Sequence, residues 1–167
     1  MTLVARAAAA ISLWVLAIPG TALALDKNLV GAWTIVSVTY GEGADKTEPY
    51  GANVKGTQIY DASGHFAVVV TRADLPKVAS NNREKATAKE SEKIVRGSLA
   101  YFGTYTTNEA QKSFTVQIEG STFPNWAGTS QTLSYAISGD ELRIADPTAS
   151  GGRPATVLLK RASQKTM

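Results

Sequence analysis

The feature that most constrains the fold is the tripeptide Gly31-Ala32-Trp33, which opens a series of short alternating segments that continues to Arg161. The clearest of them, residues 114–119, alternates strictly between apolar and polar side chains. A period of two is typical of a strand that is buried on one face only. Since a parallel sheet needs a helix after nearly every strand, a run of strands joined by short turns favours a small closed antiparallel barrel.

Eight segments are predicted as strands, and one short helix follows the third. Asp61-Ala62-Ser63-Gly64 predicts a tight hairpin, because glycine permits the positive φ that such a turn requires. Thr87 and Glu90 have the spacing of a capping box, which predicts a helix that runs to about Arg96. The predicted strands cover residues 32–39, 56–61, 65–72, 99–107, 113–121, 132–138, 141–145 and 155–161. The predicted fold class is all-β: an eight-stranded antiparallel up-and-down barrel with one short inserted helix.

The first 24 residues have the pattern of a secretory signal peptide. Arg6 precedes an apolar stretch, Pro19-Gly20 interrupts that stretch, and Ala22-Leu23-Ala24 is a small-x-small cleavage site. The apolar run is shorter than the roughly 20 residues that a membrane-spanning helix needs. We therefore predict a signal peptide over residues 1–24 and one barrel domain over residues 25–167. The mature protein is expected to be periplasmic or secreted, with no stable membrane anchor.

The composition narrows the possible functions. The chain has no cysteine, so it has neither a disulfide nor a lipid-accepting thiol. Its 17 basic and 14 acidic side chains give a net charge of +3, and the cations are scattered apart from Lys160-Arg161, which argues against a nucleic-acid surface. With one histidine, His65, and no cysteine, no metal cluster is expected, and a catalytic triad is conceivable only around His65. No cofactor is predicted.

Short glycine-rich and aromatic motifs are spread along the predicted barrel. They are Gly31-Ala32-Trp33, Lys55-Gly56 followed by Tyr60 and Gly64-His65, Tyr101-Phe102-Gly103-Thr104-Tyr105, Glu119-Gly120-Ser121, Phe123-Pro124-Asn125-Trp126 and Gly128-Thr129. Together they resemble the bacterial lipocalin-like domain family over about residues 28 to 161. The resemblance implies a lipocalin-type barrel. Relatives in the wider calycin group bind small apolar molecules, and some barrels of similar shape fold or cyclise a reactive ligand.

The resemblance also implies how one end of the barrel closes. In the lipocalin pattern, the tryptophan of a Gly-x-Trp motif closes the barrel floor, and a guanidinium from the end of the last strand lies across its ring. Gly31, Trp33 and Arg161 occupy the corresponding positions in this chain. Barrel closure is therefore the expected role of these three residues.

An eight-stranded barrel is just wide enough to be filled by side chains or to hold one small ligand. Tyr101, Gly103 and Tyr105 share a strand face, and the glycine would leave a gap for a ligand ring between the two phenols. The alternative is that both tyrosines fill the core. Trp126 lies in a loop between strands, where it is either a plug or a mobile lid. The sequence leaves both pairs of alternatives open.

A second strand contributes further candidates. Phe66 and Arg72 share a face, so Arg72 could present a charge to a ligand carboxylate at the barrel mouth, although a solvated arginine is the ordinary outcome at a strand end. Glu119 lies opposite in parity to the apolar set of its own strand, and such glutamates usually face water. The predicted ligand-binding residues are Phe66, Arg72, Tyr101, Tyr105 and Trp126.

Two functions from different classes follow, with a filled barrel that acts in protein contacts as a third. The first is an exported carrier or sensor of a small apolar molecule, without catalysis. The alternative is an enzyme that steers an isomerisation or cyclisation by shape, with Tyr105, Glu119 or His65 as acid or base. The absence of an internal cavity would exclude the carrier and the enzyme together, and where a cavity exists its lining discriminates between them. An ionisable group near its centre would favour catalysis, whereas an aromatic lining without one would favour carriage.

Overall fold

The alternating segments form strands whose inward side chains enclose one core. The computed structural model describes residues 25–163. The strands and the helix in this range are β1 (Gly31–Tyr40), β2 (Lys55–Tyr60), β3 (His65–Thr71), α1 (Ala88–Arg96), β4 (Ser98–Asn108), β5 (Ser113–Ser121), β6 (Ser130–Ser138), β7 (Glu141–Asp146) and β8 (Ala155–Arg161). Short 3-10 turns occur in the loops at Gly43–Asp45, Arg83–Lys85 and Pro124–Trp126. The predicted signal peptide lies outside the described residues.

Each strand pairs antiparallel with the next one along the chain, and β8 pairs antiparallel with β1. The last pairing closes the sheet, with Trp33 opposite Arg161 in the register. A β-bulge between Ile35 and Ser37 shifts that register once. The prediction of an eight-stranded antiparallel up-and-down barrel with one helix is confirmed.

The two ends of the barrel differ in how they are covered. At the end where β1 begins and β8 ends, which we call the floor, residues 25–30 cross the opening. Asp26 there accepts a hydrogen bond from Tyr135 on β6, and its own amide donates to Thr107 on β4. The opposite end, which we call the loop end, carries the loops 41–54, 72–97, 122–129 and 147–154.

The floor half of the interior is filled by aromatic rings. Tyr60 lies at its centre, with ring centroids 6.4 Å from Phe66, 5.2 Å from Tyr105 and 5.6 Å from Phe114. Most of these pairs are edge-to-face, the arrangement that the ring quadrupole favours. The Tyr60 hydroxyl donates to Gln58 at 2.7 Å. Since these rings occupy the floor half, the open space inside the barrel lies nearer the loop end.

The helix α1 lies outside the barrel and buries no residue. Its first turn has the predicted capping box: Thr87 Oγ1 accepts from the Glu90 amide at 3.3 Å, and Glu90 Oε2 accepts from the Thr87 amide at 2.7 Å. Local capping therefore stabilises this helix in place of core packing.

Within residues 25–163 the chain forms no helix of the length and apolar character that crossing a membrane requires.

Candidate functional site

An internal cavity of about 50 Å³ lies in the loop-end half of the barrel. Alternate inward positions of several strands supply its apolar wall, which includes Ile35, Val68, Val70, Leu99, Leu133 and Ile144. A cavity of this size has room for a few water molecules. Pockets for small organic ligands usually measure about 300–1,000 Å³. The cavity is therefore smaller than a usual ligand pocket, and a small organic molecule would fit only if the cavity became larger.

Trp126 plugs the cavity from the loop between β5 and β6. Its ring lies edge-on to Tyr101, with centroids 5.2 Å apart, and 5.8 Å from Phe123. The 3-10 turn holds it there, because its carbonyl accepts from the Thr129 hydroxyl at 2.7 Å and the Gly128 amide donates to Ile118 at 2.8 Å. In this conformation 9% of the Trp126 residue is exposed, so it acts as a plug.

Three hydroxyl groups meet at the loop end of the cavity. The Tyr40 hydroxyl lies 3.1 Å from Ser150 Oγ, and Tyr50 lines the cavity beside them. Burial raises the pKa of Tyr50 well above its usual range. Burial, together with the neighbouring Asp146 carboxyl, does the same for the pKa of Tyr101, whose ring lies against Trp126. The phenols of Tyr50 and Tyr101 are therefore neutral at physiological pH.

Asp146 is the carboxyl group in the cavity wall, and it was missed in the sequence. It continues the inward set of β7 after Leu142 and Ile144, and 8% of it is exposed. Its Oδ1 accepts from the Thr148 amide at 2.8 Å. Burial raises the pKa of this carboxyl, and the one hydrogen bond offsets that effect only in part. The predicted strand ended at Ala145, one residue short, although the alternation Leu142, Ile144, Asp146 carried the signal.

The structure brings two of the five predicted ligand-binding residues to the cavity, namely Tyr101 and Trp126. Phe66 and Tyr105 point inward as expected, but they belong to the filled floor half. The Tyr105 hydroxyl donates to the Asp61 carbonyl at 2.8 Å, and Phe66 packs between Tyr60 and Tyr101. Strand parity therefore predicted correctly that these side chains point inward, but it did not predict how far along the barrel axis they lie.

Arg72 lies outside the cavity. Its Nε and Nη2 donate to the two carboxylate oxygens of Asp74 at 2.8 and 2.9 Å, and its Nη1 lies 3.4 Å from the Pro49 carbonyl. A bidentate partner two residues away neutralises the guanidinium. Arg72 is therefore not placed where it could contact the carboxylate of a ligand in the cavity.

Gly103 does not provide the expected gap for a ligand ring. A β-bulge between Phe102 and Gly103 shifts the pairing of β4 with β5 and brings the Gln117 backbone against Gly103. A Cβ at this position would collide with the Gln117 carbonyl oxygen. The glycine therefore permits close strand pairing, a role that the spacing of the two tyrosines did not reveal.

The other acid or base candidates also lie away from the cavity. Glu119 is exposed on β5. His65 is exposed beside the hairpin, where its Nδ1 lies 2.9 Å from Ser63 Oγ. The ionisable carboxyl that lines the cavity is Asp146, which was not among the three predicted acid or base candidates.

The floor has a tight geometry around Trp33. The guanidinium carbon of Arg161 lies 4.1 Å from the ring centroid of Trp33, and its Nη1 and Nη2 donate to the carbonyls of Val30 and Asn28 at 3.2 and 2.8 Å. The indole N–H donates to Leu29 at 2.9 Å. Gly31 has a φ of +135°, and a Cβ there would come 3.1 Å from Arg161 Nη1. A glycine at this position leaves room for the guanidinium.

The fold and the cavity define a closed eight-stranded up-and-down barrel with a plugged floor and a small internal cavity. The chain belongs to the lipocalin-like domain family, whose sequence profile matches residues 30–159.

The solved structures that are similar to this chain include one of a lipocalin-like protein and one of a fluorescent protein. One is a lipocalin-like protein from Bacteroides uniformis, with 14% identity and a TM-score of 0.44; the match covers 81% of this chain and 99% of that one. The other is a mutant of the fluorescent protein UnaG, with 12% identity and a TM-score of 0.36; the match covers 81% of this chain and 96% of that one. A search of curated proteins found no significant match.

Proposed function

We propose that this protein is an exported barrel that binds one small, mainly apolar molecule in the loop-end cavity. The observation that carries the proposal is the lining of that cavity. Apolar side chains form most of its wall, and a few polar groups stand at its loop end, Asp146 and the Tyr40–Ser150 pair among them. Apolar walls with a small number of fixed polar groups are the usual composition of a ligand pocket.

Movement of the Trp126 ring out of the cavity would make room for a ligand. The ring is carried by a single 3-10 turn in a loop, outside the strand ladders. Gly128, two residues after Trp126, has a φ of +78°, and a Cβ there would meet open space. Since glycine adopts a wider range of backbone conformations than other residues, the loop can change shape at this position. A ligand that displaces the indole would take its place against the Tyr101 ring, where it keeps an aromatic contact.

Binding can be tested with an environment-sensitive apolar probe, N-phenyl-1-naphthylamine, and the chain that begins at Leu25. Tyr101→Ala is expected to weaken binding about fivefold or more, since it removes the ring on which the ligand lies. Phe102→Ala is the matched control, because Phe102 is the next residue on β4 but points outward and is 54% exposed. Affinity is compared with the unfolding free energy of each variant measured without probe.

Two results would overturn the proposal. In the first, the parent protein binds neither this probe nor other small apolar molecules. In the second, Tyr101→Ala and Trp126→Ala both fold and both retain the parent affinity. Either result would favour a filled barrel that acts in protein contacts.

A second candidate function is an enzyme that steers an isomerisation or cyclisation of the bound molecule. The observation that favours it is Asp146, a buried carboxyl whose raised pKa suits it to proton transfer, in the same cavity as Tyr101. Chromatography and NMR of the ligand extracted from the parent and from Asp146→Asn, each purified from the producing cell, separate the two functions, since isomers have the same mass. A carrier holds the same molecule in both proteins, whereas an enzyme variant retains an unconverted isomer.

Export is proposed from the sequence, and the structure is compatible with it. Cleavage after Ala24 would keep Leu25, which packs against the core, and the buried Asp26. N-terminal sequencing of protein from the periplasm or the medium is expected to begin at Leu25. A mature chain that retains Met1 would refute the export proposal and leave the binding proposal standing.

A further inference from the structure

We propose that the cavity selects molecules that carry a hydrogen-bond donor, best an ammonium group, at one end of an apolar body, and that Asp146 is the residue that selects them. This inference rests on the proposed binding function and specifies the chemistry of its ligand. The starting observation is that Asp146 is the one acidic side chain of a mainly apolar and phenolic lining, in which Gln58 and Ser150 are the other polar residues.

Asp146 keeps acceptor capacity in the cavity. An ionised carboxylate has about four lone-pair positions on its two oxygens. In the range 25–163, the hydrogen bond that Asp146 receives comes from the Thr148 amide, on Oδ1. The cost of burying a carboxylate falls when donors meet the remaining lone pairs. A ligand N–H or O–H would supply such a donor.

Two basic side chains at the loop end, those of Arg72 and Arg153, are engaged with other groups. Arg72 pairs with Asp74, and Arg153 lies over the Tyr40 ring at 5.8 Å while it donates to Thr47 at 3.0 Å. None of the residues that line the cavity in the described chain is a lysine or an arginine. A ligand carboxylate would therefore meet a like charge and no counter-ion, which is the less favourable pairing.

Aromatic side chains around the same space strengthen the preference for a cation. Tyr40, Tyr50, Tyr101 and Trp126 all line the cavity. The faces of such rings attract ammonium groups, and the attraction grows when the ion is removed from water. A carboxyl surrounded by phenol and indole rings combines the two interactions that recognise an organic ammonium ion. A neutral hydroxyl would gain the hydrogen bond only.

Four probes of nearly equal size test the inference: 2-phenylethylamine, 2-phenylethanol, ethylbenzene and phenylacetate. Their affinities for the chain that begins at Leu25 are measured at neutral pH, by calorimetry and by the emission of Trp126. The amine is expected to bind best, then the alcohol, then the hydrocarbon, with phenylacetate at least about tenfold weaker than the amine. In Asp146→Asn the amine should lose its advantage over the alcohol, while ethylbenzene binds as before.

Asp45→Asn is the matched control, because it makes the same charge change in an exposed loop at the same end of the barrel. It is expected to leave all four affinities within about twofold. The inference fails if the parent protein binds phenylacetate as well as the amine. This comparison does not depend on any variant folding.

An unchanged amine preference in a folded Asp146→Asn variant would equally overturn the role of Asp146. Binding of ethylbenzene without any preference for a donor would refute the selectivity and leave the binding function intact. If none of the four probes binds, the proposed function itself is refuted, and the selectivity with it.

Discussion

The two ends of the barrel each bury an aspartate, and they surround it differently. At the floor, Asp26 accepts hydrogen bonds from the Tyr135 hydroxyl at 2.7 Å and the Asn28 amide at 2.8 Å. Burial alone would raise the pKa of this carboxyl, but these donors outweigh it, so the pKa of Asp26 is lowered. At the loop end, Asp146 accepts a hydrogen bond from the Thr148 amide, but the effect of burial is larger, so the pKa of Asp146 is raised.

The two tryptophans repeat this contrast. Trp33 is fully buried at the floor, with its indole N–H on the Leu29 carbonyl and the Arg161 guanidinium over its ring. Trp126 is 9% exposed, and among the described residues no acceptor meets its indole N–H. The floor satisfies its polar groups internally, whereas the loop end leaves polar groups available to a ligand.

The largest expected effect on the unfolding free energy is that of replacing Trp33, and it should exceed the effect of replacing Trp126. Trp33→Ala is expected to lower the unfolding free energy by about 3–5 kcal/mol, since it opens a cavity in the floor and removes the cation contact. Trp126→Ala should cost about 2 kcal/mol, because its ring lies at the rim of the core. Urea unfolding of both variants measures the difference. A loss below about 1 kcal/mol for Trp33→Ala would mean that Trp33 does not close the floor.

Arg161 gives the next largest effect. Arg161→Met keeps most of the aliphatic stem but removes the cation over Trp33 and the donors to Val30 and Asn28, so the unfolding free energy should fall by about 2 kcal/mol. The control is Arg143→Met on the exposed face of β7, which should change it by less than about 0.5 kcal/mol. Equal losses in the two variants would show that the guanidinium contacts at the floor do not contribute.

The sequence predicted the fold because the fold depends on local patterns. Each strand shows its buried face through a period of two, and the turn at Asp61–Gly64 and the capping box at Thr87 mark two of the element boundaries. The predicted strands differ from the observed ones by at most two residues at either end. The closed pairing of β8 with β1 then follows from the number and order of the strands.

The site was less predictable, because it depends on positions that no local pattern contains. Phe66 and Tyr105 share the inward parity of Tyr101, and only the three-dimensional filling of the floor half places them below the cavity. The role of Gly103 depends on a bulge in its pairing with β5, whose partner residues lie more than ten positions along the chain. Asp146 was missed because the predicted strand ended one residue too early. That one residue supplies the acidic group that lines the cavity.

The smallest expected effect is on the unfolding free energy of two aspartate variants, which should change in opposite directions. At pH 7, Asp26→Asn should lower the unfolding free energy by about 1 kcal/mol, because it removes a charged acceptor that two donors address. Asp146→Asn should raise it by about 1 kcal/mol or less, since it removes a buried charge that has one partner. Urea unfolding at pH 7 and pH 4, with Asp45→Asn as the exposed control, measures both effects.

The pH dependence distinguishes the two aspartates further, because their pKa values shift in opposite directions on folding. Asp26 has a lowered pKa when folded, so its stabilisation is present above its unfolded pKa of about 3.9 and is lost as the pH falls through the folded value. For Asp146, whose folded pKa is raised, stabilisation is present below about pH 3.9 and is lost as the pH rises. The advantage of Asp146→Asn over the parent should therefore grow from pH 4 to pH 7. If both variants change stability in the same direction at pH 7, the two ends do not differ in the way their hydrogen bonds indicate.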